Sequence, residues 1–307
     1  MAKQNAQGPS KLDSILAGAQ LPALPQSAIR LLELSKDAKN GPHEFAVPIE
    51  ADPGLTGQVL RFVNSSYFGF SREISSVKLA ITMVGIRTIK NFSLWSAVFS
   101  LMPNPRCGPF DLKSLWQDSL RRGLFARATG KMLGMKEAED LFAAALLQDM
   151  AVPLLAKELP ERYAELLQAR SGGQIRLSEL ERDQFGWTHA DAAAKMTRQW
   201  NLPDEFTRLI ERHTAIDELI EAPTKQLAET AVALSALLPT SGDENWCECQ
   251  KFEECFNRLR PAGGASITSL LEQTDKEFAE FAPVLKISTP GRSLVDRYQE
   301  RSAVAVE

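Results

Sequence analysis

Three cysteines, Cys247, Cys249 and Cys255, form a C-x-C-x5-C pattern that could place thiolates on a metal ion. A structural zinc site normally takes four cysteine or histidine ligands, and no histidine lies near this segment to complete such a set. We therefore expect ordinary thiols on the solvent side of a C-terminal segment, with zinc binding as the less favoured alternative.

A second group with chemical potential is the arginine cluster Arg121, Arg122 and Arg127. So small a cluster is typical of a solvated helix face, and nothing around it resembles a recognition helix with base-reading side chains. No serine or cysteine can be paired with a general base from the sequence. These residues therefore predict neither a specific nucleic-acid site nor nucleophilic catalysis.

The composition sets the class of protein in which any site must lie. The 307 residues are 44% hydrophobic and 24% charged, which is typical of one or two globular domains and excludes a disordered or disulfide-scaffold chain. With 35 basic and 39 acidic residues, the net charge of −4 excludes a positively coated nucleic-acid binder. No apolar run approaches the ~20 residues of a membrane helix, and the polar N-terminus does not resemble a secretory signal. We expect a reduced, cytoplasmic protein.

Helical signals dominate the first hundred residues. Asp52-Pro53 has the pattern of an N-cap followed by proline in the first turn, and Ser75-Ser76 precedes another apolar run that stops near Gly85. A longer apolar segment, Ile86 to Leu101, ends at the proline-rich stretch 103–109, which we interpret as a boundary between two halves.

The second half is predicted to be helical as well. Leu112 to Leu133 is expected to be one long amphipathic helix, and Glu137 to Leu155 is rich in alanine and leucine. Ser178 with Glu181, and Thr188 with Asp191, match the capping box that begins a helix. A shorter helical region, Leu270 to Leu285, precedes the tail. Sustained alternation of apolar and polar residues is absent, so the predicted fold class is all-α.

A loop with three aromatic residues follows the predicted helix that begins after Asp52. Asn64 opens this loop with a side chain that can bond to its own backbone, and Tyr67, Phe68 and Phe70 surround a glycine. The favoured interpretation is a structural corner pinned by buried rings. The alternative is an interaction surface, because three rings cover a large area at low entropic cost.

Several motifs, in order along the chain, together resemble the HDOD family, the HD-related output domain of bacterial signalling proteins. The resemblance covers about residues 12 to 240. It implies a multi-helix bundle in two lobes, about 12–102 and 110–240, the second being HD-domain-like, with a flexible N-terminus at 1–11 and a C-terminal extension at 241–307. The motifs are Leu21-Pro22-Ala23-Leu24-Pro25, Asp52-Pro53-Gly54-Leu55, Val63-Asn64-Ser65-Ser66-Tyr67-Phe68-Gly69, Ile74-Ser75-Ser76, Ala80-Ile81-Thr82-Met83-Val84-Gly85, Leu115-Trp116, Leu146-Leu147-Gln148-Asp149, Phe185-Gly186-Trp187-Thr188-His189, Trp200-Asn201-Leu202-Pro203 and His213.

The resemblance also implies where the metal ligands of an HD hydrolase would fall. The His-Asp pair falls on Gln148 and Asp149, so only its carboxylate is present. His189 keeps its imidazole, whereas a later histidine pair has become Arg212-His213. The upstream histidine falls on Asp118 and a final aspartate near Ser235.

This incomplete set predicts a degenerate site without catalytic residues, metal or cofactor. Asp149, His189, His213 and Asp118 are the weak candidates for metal ligands, and Arg212 would repel a cation or pair with Asp149 or Asp118. The preferred hypothesis is a non-enzymatic signalling module that binds a protein partner and no membrane. The alternatives are a residual metal-dependent phosphohydrolase, or a receptor that binds a nucleotide or another small anion in the vacated pocket near Gln148 and Arg212.

Overall fold

The computed structural model describes residues 11–19 and 21–304, and in these residues every regular element is a helix. The all-α prediction is confirmed. None of the described helices combines the length and the apolar character that crossing a bilayer requires. The helices of the first half are α1 (Lys11–Gly18), α2 (Gln26–Leu34), α3 (Pro42–Glu50), α4 (Pro53–Val63), α5 (Val77–Val84) and α6 (Ile86–Leu101).

The remaining helices follow the proline-rich stretch at 103–109, which contains no helix. They are α7 (Leu112–Met132), α8 (Ala138–Leu147), α9 (Val152–Glu158), α10 (Pro160–Ala169), α11 (Leu177–Phe185), α12 (His189–Gln199), α13 (Asp204–Glu211), α14 (Ile216–Leu219), α15 (Leu227–Ser235), α16 (Cys249–Leu259), α17 (Ile267–Phe281) and α18 (Leu294–Val304).

Local capping explains several of the helix starts. Asp52 accepts a hydrogen bond from the backbone N–H of Leu55 at 3.0 Å, and the hydroxyl of Ser76 accepts one from Leu79 at 3.2 Å. These interactions satisfy amide groups that the first turn of a helix leaves free. Both predicted starts are confirmed.

The two predicted capping boxes have different outcomes. At α12 the box is present, since the Thr188 hydroxyl accepts from the Asp191 amide and the Asp191 carboxylate accepts from the Thr188 amide. The box at Ser178 and Glu181 is wrong, because α11 begins at Leu177 and both side chains are buried inside it.

Helices α7 and α8 approach each other closely at two glycines of α7. A Cβ atom on Gly123 would lie 3.0 Å from the carbonyl oxygen of Phe142, and one on Gly130 would lie 2.6 Å from a methyl group of Leu141. A side chain at Gly123 would therefore push the two backbones apart, and one at Gly130 would displace the Leu141 side chain. This contact sets the position of α7 against the end of α8, where the site lies.

A large apolar core extends from Leu12 in α1 to Ala282 directly after α17, so the C-terminal helices pack into the body of the fold. Helix α17 lies against α7, and the ring of Phe281 is 4.3 Å from that of Tyr67. A second apolar cluster joins α14 to α18 with Phe125 and Ala128 of α7.

The domain boundaries inferred from the resemblance stay predictions. The lobes at about 12–102 and 110–240 and the extension from residue 241 are not separated by the packing described above. Of the flexible N-terminus predicted at 1–11, residues 1–10 lie outside the described residues, and Lys11 begins α1.

Two expectations about exposure are wrong. Cys247 is exposed, but Cys249 and Cys255 are buried on the inner face of α16, so these thiols are not all on the solvent side. The three arginines Arg121, Arg122 and Arg127 are also buried rather than solvated. Their charges are paired by carboxylates from other parts of the chain, which sequence spacing does not reveal.

Candidate functional site

Asp149, His189 and His213 come together from three separate segments of the chain. Asp149 lies in the turn after α8, His189 is the first residue of α12, and His213 follows the end of α13. The Nε2 atom of His189 lies 3.0 Å from Nε2 of His213 and 3.3 Å from Oδ1 of Asp149, and the His213 Nε2 lies 3.6 Å from that oxygen. All three side chains are buried. We call these three residues the Asp-His-His cluster.

His189 is oriented by a buried carboxylate that sequence reasoning missed. Glu181 accepts hydrogen bonds from Nδ1 of His189 at 2.6 Å and from the backbone N–H of the same residue at 2.8 Å. The Tyr163 hydroxyl donates to the other carboxylate oxygen, and both Glu181 and Tyr163 are fully buried. Helical spacing could have predicted that Glu181 is buried. It lies four residues after Leu177 and four before Phe185, on the apolar face of α11.

His213 is oriented by the backbone instead. Its Nδ1 lies 2.6 Å from the carbonyl oxygen of Ile210, in the last turn of α13. Burial lowers the pKa of His213, so the neutral ring donates to Ile210 through Nδ1 and its Nε2 is free to accept.

His189 carries the opposite charge preference. Burial by itself lowers its pKa, but the carboxylates of Glu181 and Asp149 outweigh that effect and raise the pKa to about 10. At neutral pH His189 is therefore an imidazolium, which donates from Nε2 toward His213 and Asp149.

Arg122 on α7 forms a buried ion pair with Oδ2 of Asp149. Burial would raise the pKa of Asp149, but the Arg122 guanidinium, together with a hydrogen bond from the His189 imidazolium, holds it well below its ordinary value. Arg212, the predicted partner, instead makes an ion pair with Glu218 at 3.3 Å and is one-third exposed. The cation beside Asp149 is therefore Arg122, from the middle of α7.

Asp118 faces the same region but is held separately from the cluster. Its Oδ1 accepts hydrogen bonds from the backbone N–H of Ser241 at 2.7 Å and from the Ser241 hydroxyl at 2.6 Å. Burial raises the pKa of Asp118 to about 6, although Arg122 and the Ser241 bonds oppose the shift. Asp118 thus fastens α7 to the segment that follows α15.

The two other positions implied by the resemblance contribute no ligand atom here. Gln148 is fully buried, and neither its oxygen nor its nitrogen has a hydrogen-bond partner among the described residues. Ser235 is buried in α15 and its hydroxyl donates to the carbonyl of Val232 at 2.6 Å.

A cleft of about 230 Å³ opens beside the Asp-His-His cluster. Arg122, Arg170 and Arg176 line it, and each is paired with a carboxylate: Asp149, Asp243 and Glu248, respectively. In the described part of the chain, Gln148 and Arg212 are not among its lining residues.

The rings of the aromatic loop pack onto the apolar core. Tyr67, Phe68 and Phe70 are half-buried, with the Phe68 ring 5.1 Å from that of Phe62. Asn64 clamps the loop, since its amide donates to the Ile74 carbonyl at 2.8 Å and its oxygen accepts from the Ile74 amide at 2.7 Å. These contacts give the loop a structural role, and its use as an interaction surface stays a prediction.

The donor set fits one divalent cation but not two. One carboxylate oxygen and two Nε2 atoms lie within 4.8 Å of one another, and each histidine has its other nitrogen fixed by an acceptor, as metal-binding histidines usually do. The Arg122 guanidinium holds the second oxygen of Asp149, and Asp118 is bonded to Ser241. A second cation would therefore lack ligands.

The family model described as the HDOD domain matches residues 21–216. An uncharacterised protein of Treponema pallidum (strain Nichols) is 24% identical over 194 residues, which are 62% of this chain and 37% of that protein. The chain thus spans little more than a third of the length of this relative.

Solved structures share the fold over most of the chain. An HDOD domain protein of unknown function from Geobacter sulfurreducens has a TM-score of 0.63 at 20% identity, covering 96% of this chain and 93% of that one. A protein from Shewanella amazonensis SB2B, provisionally named a phosphohydrolase, has a TM-score of 0.60 at 18% identity, covering 94% and 98%. A protein from Marinobacter aquaeolei VT8, provisionally named a signal transduction protein, has a TM-score of 0.61 at 19% identity, covering 99% and 67%. At these identities the likeness shows the fold alone.

Proposed function

The chain belongs to the HDOD family, and from that premise we propose that it is a bacterial signalling module that acts by binding another protein rather than by hydrolysing a phosphate ester. The name of the Marinobacter relative agrees with a signalling role. The name of the Shewanella relative raises the hydrolase alternative, so the proposal depends on the chemistry of the site.

The observation that carries the proposal is the buried ion pair between Arg122 and Asp149. A hydrolytic metal site uses its carboxylate to hold a dication that activates water and stabilises developing negative charge. Here a guanidinium already neutralises that carboxylate. Together with the imidazolium of His189 and the carboxylate of Glu181, the buried groups form a set of two cations and two anions that needs no added charge.

The partner would dock on the face that carries the aromatic loop. The exposed parts of Tyr67, Phe68 and Phe70 lie close together on a loop that Asn64 holds rigid, and a rigid aromatic group is the usual centre of a protein interface. Because each ring is only half-buried, a partner could contact its exposed part while the buried part stays packed against the core.

Hydrolysis is tested with the purified full chain supplied with Mn²⁺ or Fe²⁺ and a panel of cyclic dinucleotides and nucleotides. We expect turnover no higher than that of the Asp149→Asn variant. Turnover that this substitution abolishes would overturn the proposal.

Docking is tested with a photo-crosslinking residue at position 70 in host cells, with the exposed position 61 as the control. Equal crosslinking at both positions would argue against the aromatic loop as the docking site.

The convergence of the Asp-His-His cluster favours a second candidate function, in which the module holds one divalent cation as the signal or as a structural ion. Oδ1 of Asp149 and the Nε2 atoms of His189 and His213 would hold it, and it would supply positive charge and a Lewis acid beside the cleft. Calorimetric titration with Co²⁺ tests this candidate, with His213→Ala as the matched loss of one ligand. The anion-receptor alternative has no comparable support, because the arginines of the cleft are already paired.

A further inference from the structure

We infer that Glu181 is the positioning residue of the Asp-His-His cluster: it holds His189 with Nε2 directed at Asp149 and His213, and so prepares the cluster for a divalent cation that prefers imidazole ligands, such as Co²⁺ or Zn²⁺. The inference rests on the cation-binding candidate function. It assigns a role to a side chain that does not itself reach the ligand position.

Glu181 contacts His189 at two points, which fixes the ring as well as the backbone. One oxygen accepts from both Nδ1, at 2.6 Å, and the amide N–H of His189, at 2.8 Å. A ring held at Nδ1 and at its own backbone has little freedom to rotate, so Nε2 keeps its direction. The capping box between Thr188 and Asp191 fixes the start of the same helix turn.

The hydrogen-bond donors around Glu181 fix this carboxylate as the acceptor for the Nδ1 hydrogen of His189. The Tyr163 hydroxyl donates to one carboxylate oxygen, and the His189 amide donates to the other. With two donors already directed at it, the carboxylate serves as an acceptor, so Nδ1 of His189 must carry the hydrogen. Nε2 is then the nitrogen that can exchange its hydrogen for a cation.

The two histidines differ in the group that accepts the hydrogen bond from Nδ1. Because of this difference, replacing Glu181 tests the positioning role. His213 donates from Nδ1 to a neutral carbonyl, that of Ile210, whereas His189 donates to a carboxylate. A carboxylate partner makes an imidazole a better electron donor to a metal. Two imidazoles and one carboxylate form a set that suits Co²⁺, Zn²⁺ or Fe²⁺ better than Mg²⁺ or Ca²⁺.

The positioning role can be tested without any metal by ¹⁵N NMR of histidine-labelled protein. The chain has three histidines, and His43 is exposed, so the signals of His189 and His213 can be assigned by single substitutions. We expect His189 to carry hydrogen at Nδ1 and to lose that signature in Glu181→Gln. Glu179→Gln, an exposed change two residues away on the same helix, is the matched control and should leave it unchanged. An unaltered His189 signal in Glu181→Gln would overturn the inference.

The consequence for cation binding is measured by Co²⁺ titration of the same proteins. We expect Glu181→Gln to weaken binding about 10- to 100-fold and Glu179→Gln to leave it unchanged. Equal binding by wild type and Glu181→Gln would overturn the inference while leaving the candidate function in place. No binding by the wild type would overturn the candidate function and the inference with it, whatever the NMR result. If Glu181→Gln does not fold, Tyr163→Phe removes one donor from Glu181 and should give a smaller loss of the same kind.

Discussion

Arg122 of α7 makes a buried ion pair with Asp149, the carboxylate that directly follows α8. The pair places a fixed positive charge at Oδ2 of Asp149, while both histidines lie near Oδ1. A guanidinium cannot leave or deprotonate, so it competes permanently with any cation for this carboxylate. A divalent cation would therefore bind Asp149 more weakly here than at a site where the carboxylate has no cationic partner.

Replacing Arg122 should therefore improve cation binding at a cost in stability. In Arg122→Met the second oxygen of Asp149 loses its partner, and we expect affinity for Co²⁺ to rise about tenfold or more, equal to about 1.4 kcal/mol. Because the substitution leaves a buried carboxylate without its cation, the free energy of unfolding should fall by about 3–5 kcal/mol. Calorimetric titration and urea denaturation measure the two effects.

Lys113→Met is the control for Arg122→Met. Lys113 is exposed in the first turn of the same helix, so its replacement should change neither quantity by more than about 0.5 kcal/mol. If Arg122→Met destabilises the protein as expected but binds Co²⁺ no better than the wild type, Arg122 is a structural partner only.

Asp118 predicts a fall in stability as the pH rises. Burial raises its pKa from 3.8 to about 6, so the folded protein binds more protons than the unfolded chain between these values. The stability that Asp118 contributes is fully present below pH 3.8 and is lost as the pH rises through about 6. Asp118→Asn keeps an acceptor for Ser241 but cannot ionise. As the pH rises from 4 to 7, the free energy of unfolding of Asp118→Asn should increase relative to that of the wild type by up to about 3 kcal/mol.

Asp111 provides a control of the opposite sign on the same helix. The Ser114 hydroxyl lowers the pKa of Asp111, so the stability that it contributes is present at higher pH and is lost as the pH falls. Because that loss occurs below the ordinary value of 3.8, the stability of Asp111→Asn relative to wild type should change little between pH 4 and pH 7, whereas that of Asp118→Asn should rise. A shared trend would mean that Asp118 is not the titrating group.

The features that could be predicted from sequence are those fixed by neighbouring residues. The helix starts at Asp52, Ser76 and Thr188 follow from side chains that bond to amides three residues away. The glutamate at 181 misled the same reasoning, because a capping-box spacing also occurs in the interior of a helix. Local pattern alone does not distinguish a cap from a buried carboxylate that serves another segment.

Buried charges depend on partners that lie far away in the chain. Arg122 and Asp149 are 27 residues apart, and Arg127 and Glu277 are 150 apart. Arginines in isolation are typically exposed, so only the fold reveals that both are enclosed. The resemblance pointed to Asp149, His189 and His213, which lie together in the fold, but it named Arg212 rather than Arg122 as the nearby cation.

Arg127 joins three parts of the molecule, and its loss should destabilise all of them together. Its guanidinium lies 4.9 Å from the ring centre of Tyr67 in the aromatic loop, 4.8 Å from that of Phe142 in α8 and 5.3 Å from that of Phe281 in α17. It also makes an ion pair with Glu277 at 2.8 Å. We expect Arg127→Ala to lower the free energy of unfolding by about 3–5 kcal/mol in urea denaturation.

The matched control for Arg127→Ala is Arg61→Ala, since Arg61 is exposed on α4 and its replacement should cost less than about 0.5 kcal/mol. Near-UV circular dichroism adds a local readout, because the Tyr67 ring rests on Arg127. Similar small effects in both variants would show that the three rings and the carboxylates do not depend on the guanidinium.

Gly123 tests whether the close contact of α7 with α8 positions the site. In Gly123→Ala the new methyl group would lie 3.0 Å from the Phe142 carbonyl oxygen and 3.1 Å from its ring, so the two helices must separate slightly. Alanine favours a helix over glycine by about 1 kcal/mol, whereas overpacking a core costs about 1–3 kcal/mol. We expect net destabilisation of about 1 kcal/mol in urea denaturation, together with a changed Co²⁺ affinity because Arg122 is the adjacent residue.

Gly57→Ala in α4 is the control. Its methyl group meets only the flexible end of Arg61, at 3.3 Å, so the free energy of unfolding of this variant should rise by up to about 1 kcal/mol. Equal stabilisation of both variants would mean that α7 and α8 have room to spare, and that the position of Arg122 against Asp149 does not depend on the glycine.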